Sequence, residues 1–169
     1  MRSIATKSLA AICLSAAAGP LSGQICKAEH KDGIATRISL AAGTIRTPPL
    51  EGKNKFYNID IEAQWALPAE ELKCAMGFAV SPSDTHCKQP QLLKTAWKVF
   101  DGDQIVASGV DDGRSTGFEA DKDALTRNVG SFRAQKKHTY VIQLTFLKDA
   151  SALNVTQPCL LVDYPGFSF

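Results

Sequence analysis

The chain has 169 residues, with 19 Lys+Arg against 17 Asp+Glu and 44% hydrophobic residues. That length suits one ordinary domain, and the near-balance of charge lacks the clustered Lys/Arg excess with which nucleic-acid and anionic-membrane binders displace counterions. The longest basic run, Lys136-Lys137, reads as a solvated turn.

At the N-terminus, Arg2 and Lys7 precede the apolar run 9–14, which leads into Ala16-Ala17-Ala18. This is the three-part layout of a secretory signal peptide, 1–18, with the cut after Ala18. The run is too short to span a membrane, which takes roughly 20 apolar residues, and no later stretch is longer. The remainder, 19–169, reads as a single exported domain, periplasmic or secreted. Without Arg2 and Lys7 the basic residues fall to 17, level with the acids. Ile12 precedes Cys13 and Ile25 precedes Cys26, so neither cysteine has the small residue before it that lipid attachment needs.

Residues 47–54, with Pro48-Pro49 and Gly52, read as loop. The segment 57–65 then alternates apolar and polar without an error, a period of two that predicts a half-buried strand. Pro68 to Lys73 predicts a single helical turn. Residues 95–100 and 104–109 flank Asp101-Gly102-Asp103, an antiparallel hairpin signal. Asp121 to Thr126 predicts a second helical turn. Residues 132–134 and 140–146 read as another pair of strands, the latter with Tyr140, Ile142, Leu144 and Phe146 on one face. Cys159 to Tyr164 is the last strand, stopped by Pro165-Gly166. Six or so short strands between turn clusters predict an all-β fold: an antiparallel two-sheet β-sandwich, jelly-roll-like, with one or two short helical turns.

Five cysteines become four once Cys13 leaves with the leader. In an oxidising compartment Cys26, Cys74, Cys87 and Cys159 predict two disulfides, with three pairings open to them. The turn-rich Ser81-Pro82-Ser83-Asp84 between Cys74 and Cys87 favours joining those two. Cys26 and Cys159 then tie the first ordered segment to the last strand, a closure worth roughly 4–5 kcal/mol in the chain-entropy model. No cysteine pair has zinc-knuckle spacing.

The strand 57–65, the hairpin Trp97-Lys98-Val99-Phe100-Asp101-Gly102, and Asn128-Val129-Gly130-Ser131-Phe132 leading to Tyr140 and a last strand before Tyr164 span about two-thirds of the chain. In that order they resemble a family of uncharacterised exported β-sandwich domains of Gram-negative bacteria, many of them lipoproteins. The resemblance implies fold and compartment, and brings no catalytic residues with it; the missing lipidation site departs from its lipoprotein members. The closing block, a short strand, a basic turn and Tyr-x-Ile-x-Leu, is also similar to the last hairpin of jelly-roll carbohydrate-binding modules.

Catalytic sets are not evident. His30, His86 and His138 fall in turns or tails, and no G-x-S-x-G elbow surrounds a serine. His86 and Cys87 are adjacent, so on an extended chain they point apart. Asp60 and Glu62 share the polar side of one strand, with no second wall to make a glycosidase pair. The turn aspartates lack an EF-hand pattern, and no metal or cofactor is predicted. Trp65 and Trp97 fall on apolar registers, which favours core packing, whereas the aperiodic tail 164–169 offers exposed aromatics for a protein contact.

The expectation is therefore a non-enzymatic binding protein for another cell-envelope protein, such as an immunity protein or inhibitor of a toxin or envelope enzyme. Its expected contact site is the acidic loop set Asp101, Asp103, Asp111, Asp112 and Arg114, gathered at one end of the sandwich to steer a basic partner. The alternative is a carbohydrate-binding module that stacks glycans on Trp97, Tyr140 or the tail aromatics.

Overall fold

The structure, a computed structural model, describes residues 26, 32–78, 87, 93–113 and 118–164. The segment read as a signal peptide lies outside them, as do His30, His86, Arg114 and the tail beyond Tyr164. Among the described residues the strands are β1 (Ile34–Arg37), β2 (Gly43–Arg46), β3 (Leu50–Glu51), β4 (Phe56–Gln64), β5 (Thr95–Asp101), β6 (Gln104–Asp111), β7 (Phe118–Ala120), β8 (Ala124–Arg133), β9 (Thr139–Phe146) and β10 (Cys159–Asp163). A short helix α1 (Ala69–Ala75) and a 3-10 turn (Ser151–Thr156) complete the chain.

All strand pairs are antiparallel, and they form two sheets, β1-β10-β4-β8-β7 and β2-β9-β5-β6, with β3 on β9. Without the short β3 and β7, the pairs β1–β10, β2–β9, β4–β8 and β5–β6 nest inside one another. The chain is thus one long double ribbon wrapped around a core, which is the jelly roll. Its apex is the β5–β6 hairpin at Asp101-Gly102-Asp103, where Gly102 takes a positive φ of 58°.

The alternation read in 57–65 is realised in β4, where Tyr57, Ile59, Ile61 and Ala63 are buried and the intervening polar residues face outward. Facing side chains come from the other sheet: Val99 of β5 and Tyr140, Ile142, Leu144 and Phe146 of β9. Both expected disulfides are present. Cys26 bonds Cys159 at the open end of the nest, with 5.8 Å between Cα atoms, and Cys74 of α1 bonds Cys87 at 5.4 Å.

Three expectations are corrected. Residues 132–134 and 140–146 do not pair, because β8 belongs to one sheet and β9 to the other. Their inward rows meet across the core instead, with the Phe132 and Tyr140 rings 5.5 Å apart and edge-on, so the connecting turn crosses between layers. Asp121 to Thr126 is not helical: the Asp121 carboxylate accepts the backbone N–H groups of Asp123 and Ala124, closing a turn that launches β8. The loop 47–54 also contains the two-residue β3, which Leu50 anchors by burial.

Candidate functional site

The inward row of β5 runs Thr95, Trp97, Val99. Trp97 lies near the edge of the core, half-buried, and its cross-strand neighbour on β6 is Gly109. A Cβ at Gly109 would sit 2.6 Å from the indole Cζ2, and one at Gly130 of β8 would sit 2.4 Å from Cε2. Both lie well inside van der Waals contact, so glycine at these two positions is what lets the ring bridge the two sheets.

Gly130 reaches that place through a β-bulge. Ile59 of β4 pairs with Gly130 and Asp60 with Asn128, which leaves Val129 as the extra residue. The bulge shifts the alternation by one, so that Leu125 and Arg127 before it and Gly130 and Phe132 after it share the inner side of β8. A second irregularity, at Val106 on β6, bends the opposite wall.

Between β6 and β8 an open groove results, with Trp97 and the two glycines beneath and Asp112, Asn128 and Ser131 among its polar walls. The Asn128 amide donates to the Asp60 carboxylate at 2.8 Å and to the Gly130 carbonyl at 3.1 Å, which fixes it at the bulge. The indole Nε1–H of Trp97 meets no acceptor among the described residues, whereas that of Trp65 donates to the Asp121 carbonyl at 2.9 Å.

Gly130→Ala is expected to displace the indole and to cost about 1–3 kcal/mol, the usual penalty of overpacking. Denaturant unfolding and tryptophan emission check it together. Unchanged stability with an unshifted spectrum would mean that the ring is not wedged.

One end of the groove is built on a buried cation. Arg127 is 0% exposed and donates from Nη1 to the Met76 and Leu93 carbonyls, and from Nη2 to the Asp111 carboxylate, itself only 8% exposed. Burial pushes the Arg127 pKa down, and the charge of Asp111 opposes that shift. The same cluster excludes a side chain at Gly77, where a Cβ would lie 2.1 Å from the Gly113 carbonyl oxygen.

The acidic residues singled out in sequence are not gathered together. Asp101 and Asp103 flank the apex of the β5–β6 hairpin, while Asp111 and Asp112 lie at the far end of β6, roughly 25 Å away along an extended strand. An antiparallel hairpin necessarily separates its turn from its open end. Asp101 is occupied by His138, whose Nδ1 is 2.5 Å from its Oδ2, and Asp111 by Arg127. Tyr164, expected to be an exposed aromatic, packs edge-on against Tyr57 at 5.4 Å and lies under the Lys55 ammonium.

Asp60 and Glu62 stay on the outer side of β4. Burial, and then the charge of Asp121, raises the Glu62 pKa above the ordinary 4.5. The folded state therefore favours protonated Glu62. Below the unfolded value the carboxyl is neutral in both states, and as pH rises through the folded value folding bears the cost of the charge. Glu62→Gln is expected to raise the melting temperature at pH 7 and to leave it unchanged near pH 3; an equal shift at both would sink this assignment. Among the described residues no cluster of three His, Cys, Asp or Glu is placed to hold a metal, and no helix is long and apolar enough to cross a membrane.

Beside the groove, β6 is the last strand of its sheet and has no partner on its outer side among the described residues. Ile105, Val106 and Val110 on it are 52%, 49% and 69% exposed. Neither this edge nor Gly109, Arg127 or Gly130 carries a local sequence mark of a functional role. A signal for the bulge was present: apolar residues at 125 and 129 give way to one at 132, a slip of one in the period of two.

No protein-family model matches this chain, and no curated protein matches it. A crystal structure of a protein from Sulfurospirillum deleyianum is similar at 9% identity, with a TM-score of 0.49 over 80% of this chain and 99% of the other.

Proposed function

We propose that the chain is an exported, non-enzymatic binding protein whose ligand is another cell-envelope protein, in the manner of an immunity protein or an inhibitor. The exposed Ile105, Val106 and Val110, on an edge strand with no outer partner among the described residues, carry this reading, because such edges are ordinarily blunted by charge or covered. Export is supported by the leader pattern at 1–18 and by two disulfides, which persist in oxidising compartments.

The test is retention of an envelope protein on the immobilised chain, compared with the variant carrying Ile105→Ser, Val106→Ser and Val110→Ser. A specific protein held by the first and lost by the second supports the reading. Equal retention on both, or none on either, overturns it.

One observation favours glycan binding as the second reading: the Trp97 Nε1–H meets no acceptor among the described residues and lies in a groove with Asn128 and Ser131 on its walls. An acceptor such as a sugar hydroxyl would complete it. Tryptophan emission that shifts on titration with peptidoglycan fragments, and does not in Trp97→Phe, would favour this reading over the first.

A further inference from the structure

From the pattern of charge we infer that the outer face of the sheet β2-β9-β5-β6 docks a partner protein through acidic side chains of that partner set around an apolar contact. The inference rests on the protein-binding reading and names the chemistry of the partner. Directly opposite residues of antiparallel strands share one side of the sheet. Arg46 of β2 and Lys98 of β5 both lie opposite Gln143 of β9, and Lys98 also lies opposite Ser108 of β6, so the four form one row across the outer face. The two cations stand two strand spacings apart, roughly 10 Å at their backbones. To either side of this row the face is apolar where it crosses the hairpin: Phe100 lies opposite Ile105, and Ala96 opposite Val110. Ile105 and Val110 are both exposed.

Charge selects the occupant. Lys98 is exposed and meets no partner among the described residues. Arg46 donates from Nε to the Gln143 side-chain oxygen at 2.9 Å and lies over the Phe100 ring, 5.1 Å from its centre. Both of these partners are neutral, so they hold the guanidinium in place and leave its charge uncompensated. β2, β9 and the hairpin residues 95–100 and 104–110 contain no Asp or Glu. Partner carboxylates placed on this face therefore meet two uncompensated cations. A second copy packed face to face about a twofold axis would set those cations against themselves, which disfavours it. An anionic polymer is disfavoured for a different reason, since it is bound by a dense row of Lys and Arg. Two cations beside exposed apolar side chains are instead the mixture found where proteins meet, with apolar contact at the centre and charge around it.

The probe is a displayed library of random short peptides, selected on the immobilised protein. Selected peptides are expected to combine Asp or Glu with aromatic or branched apolar residues. Synthetic copies should bind Lys98→Glu about tenfold more weakly than the parent, and their affinity for the parent should fall as salt is raised. They should also bind Val110→Ser more weakly. Lys136→Glu, in the exposed turn between β8 and β9, should leave binding unchanged. Lys98 and Val110 are exposed, so both variants should keep the melting temperature of the parent.

The inference is overturned if no peptide is selected, if the selected peptides lack acidic residues, or if they bind Lys98→Glu as tightly as the parent. It is overturned equally if the protein associates with itself and Lys98→Glu abolishes that association, or if dextran sulfate binds more tightly than the peptides and is indifferent to Val110→Ser. An envelope protein that is lost from the triple serine variant yet held equally by Lys98→Glu would sink this inference alone: the protein-binding reading would stand, with a partner that uses the apolar patch without the cations.

Discussion

Arg127→Ala is expected to destabilise the fold by about 3–5 kcal/mol, the loss seen when one member of a buried ion pair is removed. The guanidinium connects the end of α1 through Met76, the approach to β5 through Leu93, and the end of β6 through Asp111. Alanine would leave a carboxylate that is 8% exposed with no cation opposite it, and two carbonyls without their donor. Denaturant unfolding measures the loss. Replacing both charges with apolar residues, Arg127→Met with Asp111→Leu, should recover most of it, since a well-packed apolar pair avoids desolvating two ions and also removes the buried Nε–H that has no acceptor among the described residues. If the double variant were as unstable as Arg127→Ala, the pair would be holding the chain through its geometry and not through charge compensation.

The second large effect belongs to the disulfide between Cys26 and Cys159. Its half-cystines are 133 positions apart, against 13 for Cys74 and Cys87. Constraining the unfolded chain over the wider span is worth about 4–5 kcal/mol, and over the narrower one about 3 kcal/mol. Serine at both Cys26 and Cys159 should therefore lower stability more than serine at both Cys74 and Cys87, as measured by denaturant unfolding of the two double variants. A local consequence adds to the difference. β1 is only four residues long, is held to its sheet by β10 alone, and covers the edge carrying Leu160, Leu161 and Val162. If β1 frays, that edge is open to aggregation. Equal losses in the two variants would count against the loop-length account.

What the sequence could reveal followed from how locally each element is specified. β4 and the β5–β6 hairpin were legible because alternation and an Asp-Gly turn act within a few residues. β1 and β2 were not, since their partners are β10 and β9, more than ninety residues later, and their own four-residue stretches are too short to carry a period. The disulfide pairing was legible because the turn-rich stretch between Cys74 and Cys87 made a local pair, which left the other two. The candidate site was largely hidden. Trp97 was read as core, and the structure makes it half core and half groove floor, a status decided by two glycines from different strands. Arg127 fell between the expected helical turn at Asp121 to Thr126 and the strand expected from 132, and nothing nearby in sequence announces Asp111 as its counter-ion. The acidic loops were misjudged as one cluster because turn composition says that a residue is in a turn without saying at which end of the sandwich the turn lies.

The bond between Cys26 and Cys159 also sets how the domain carries mechanical load. Tension applied to the chain before Cys26 and after Cys159 passes through the sulfur bridge, so the residues between the two cysteines are bypassed and the load falls on residues 160–163 of β10, which lie outside the bridged span. Pulled in this way, the oxidised domain should show no unfolding extension from the residues between the two cysteines, and the reduced one should release that length. The groove and the β6 edge would then keep their shape while a partner held there is under strain.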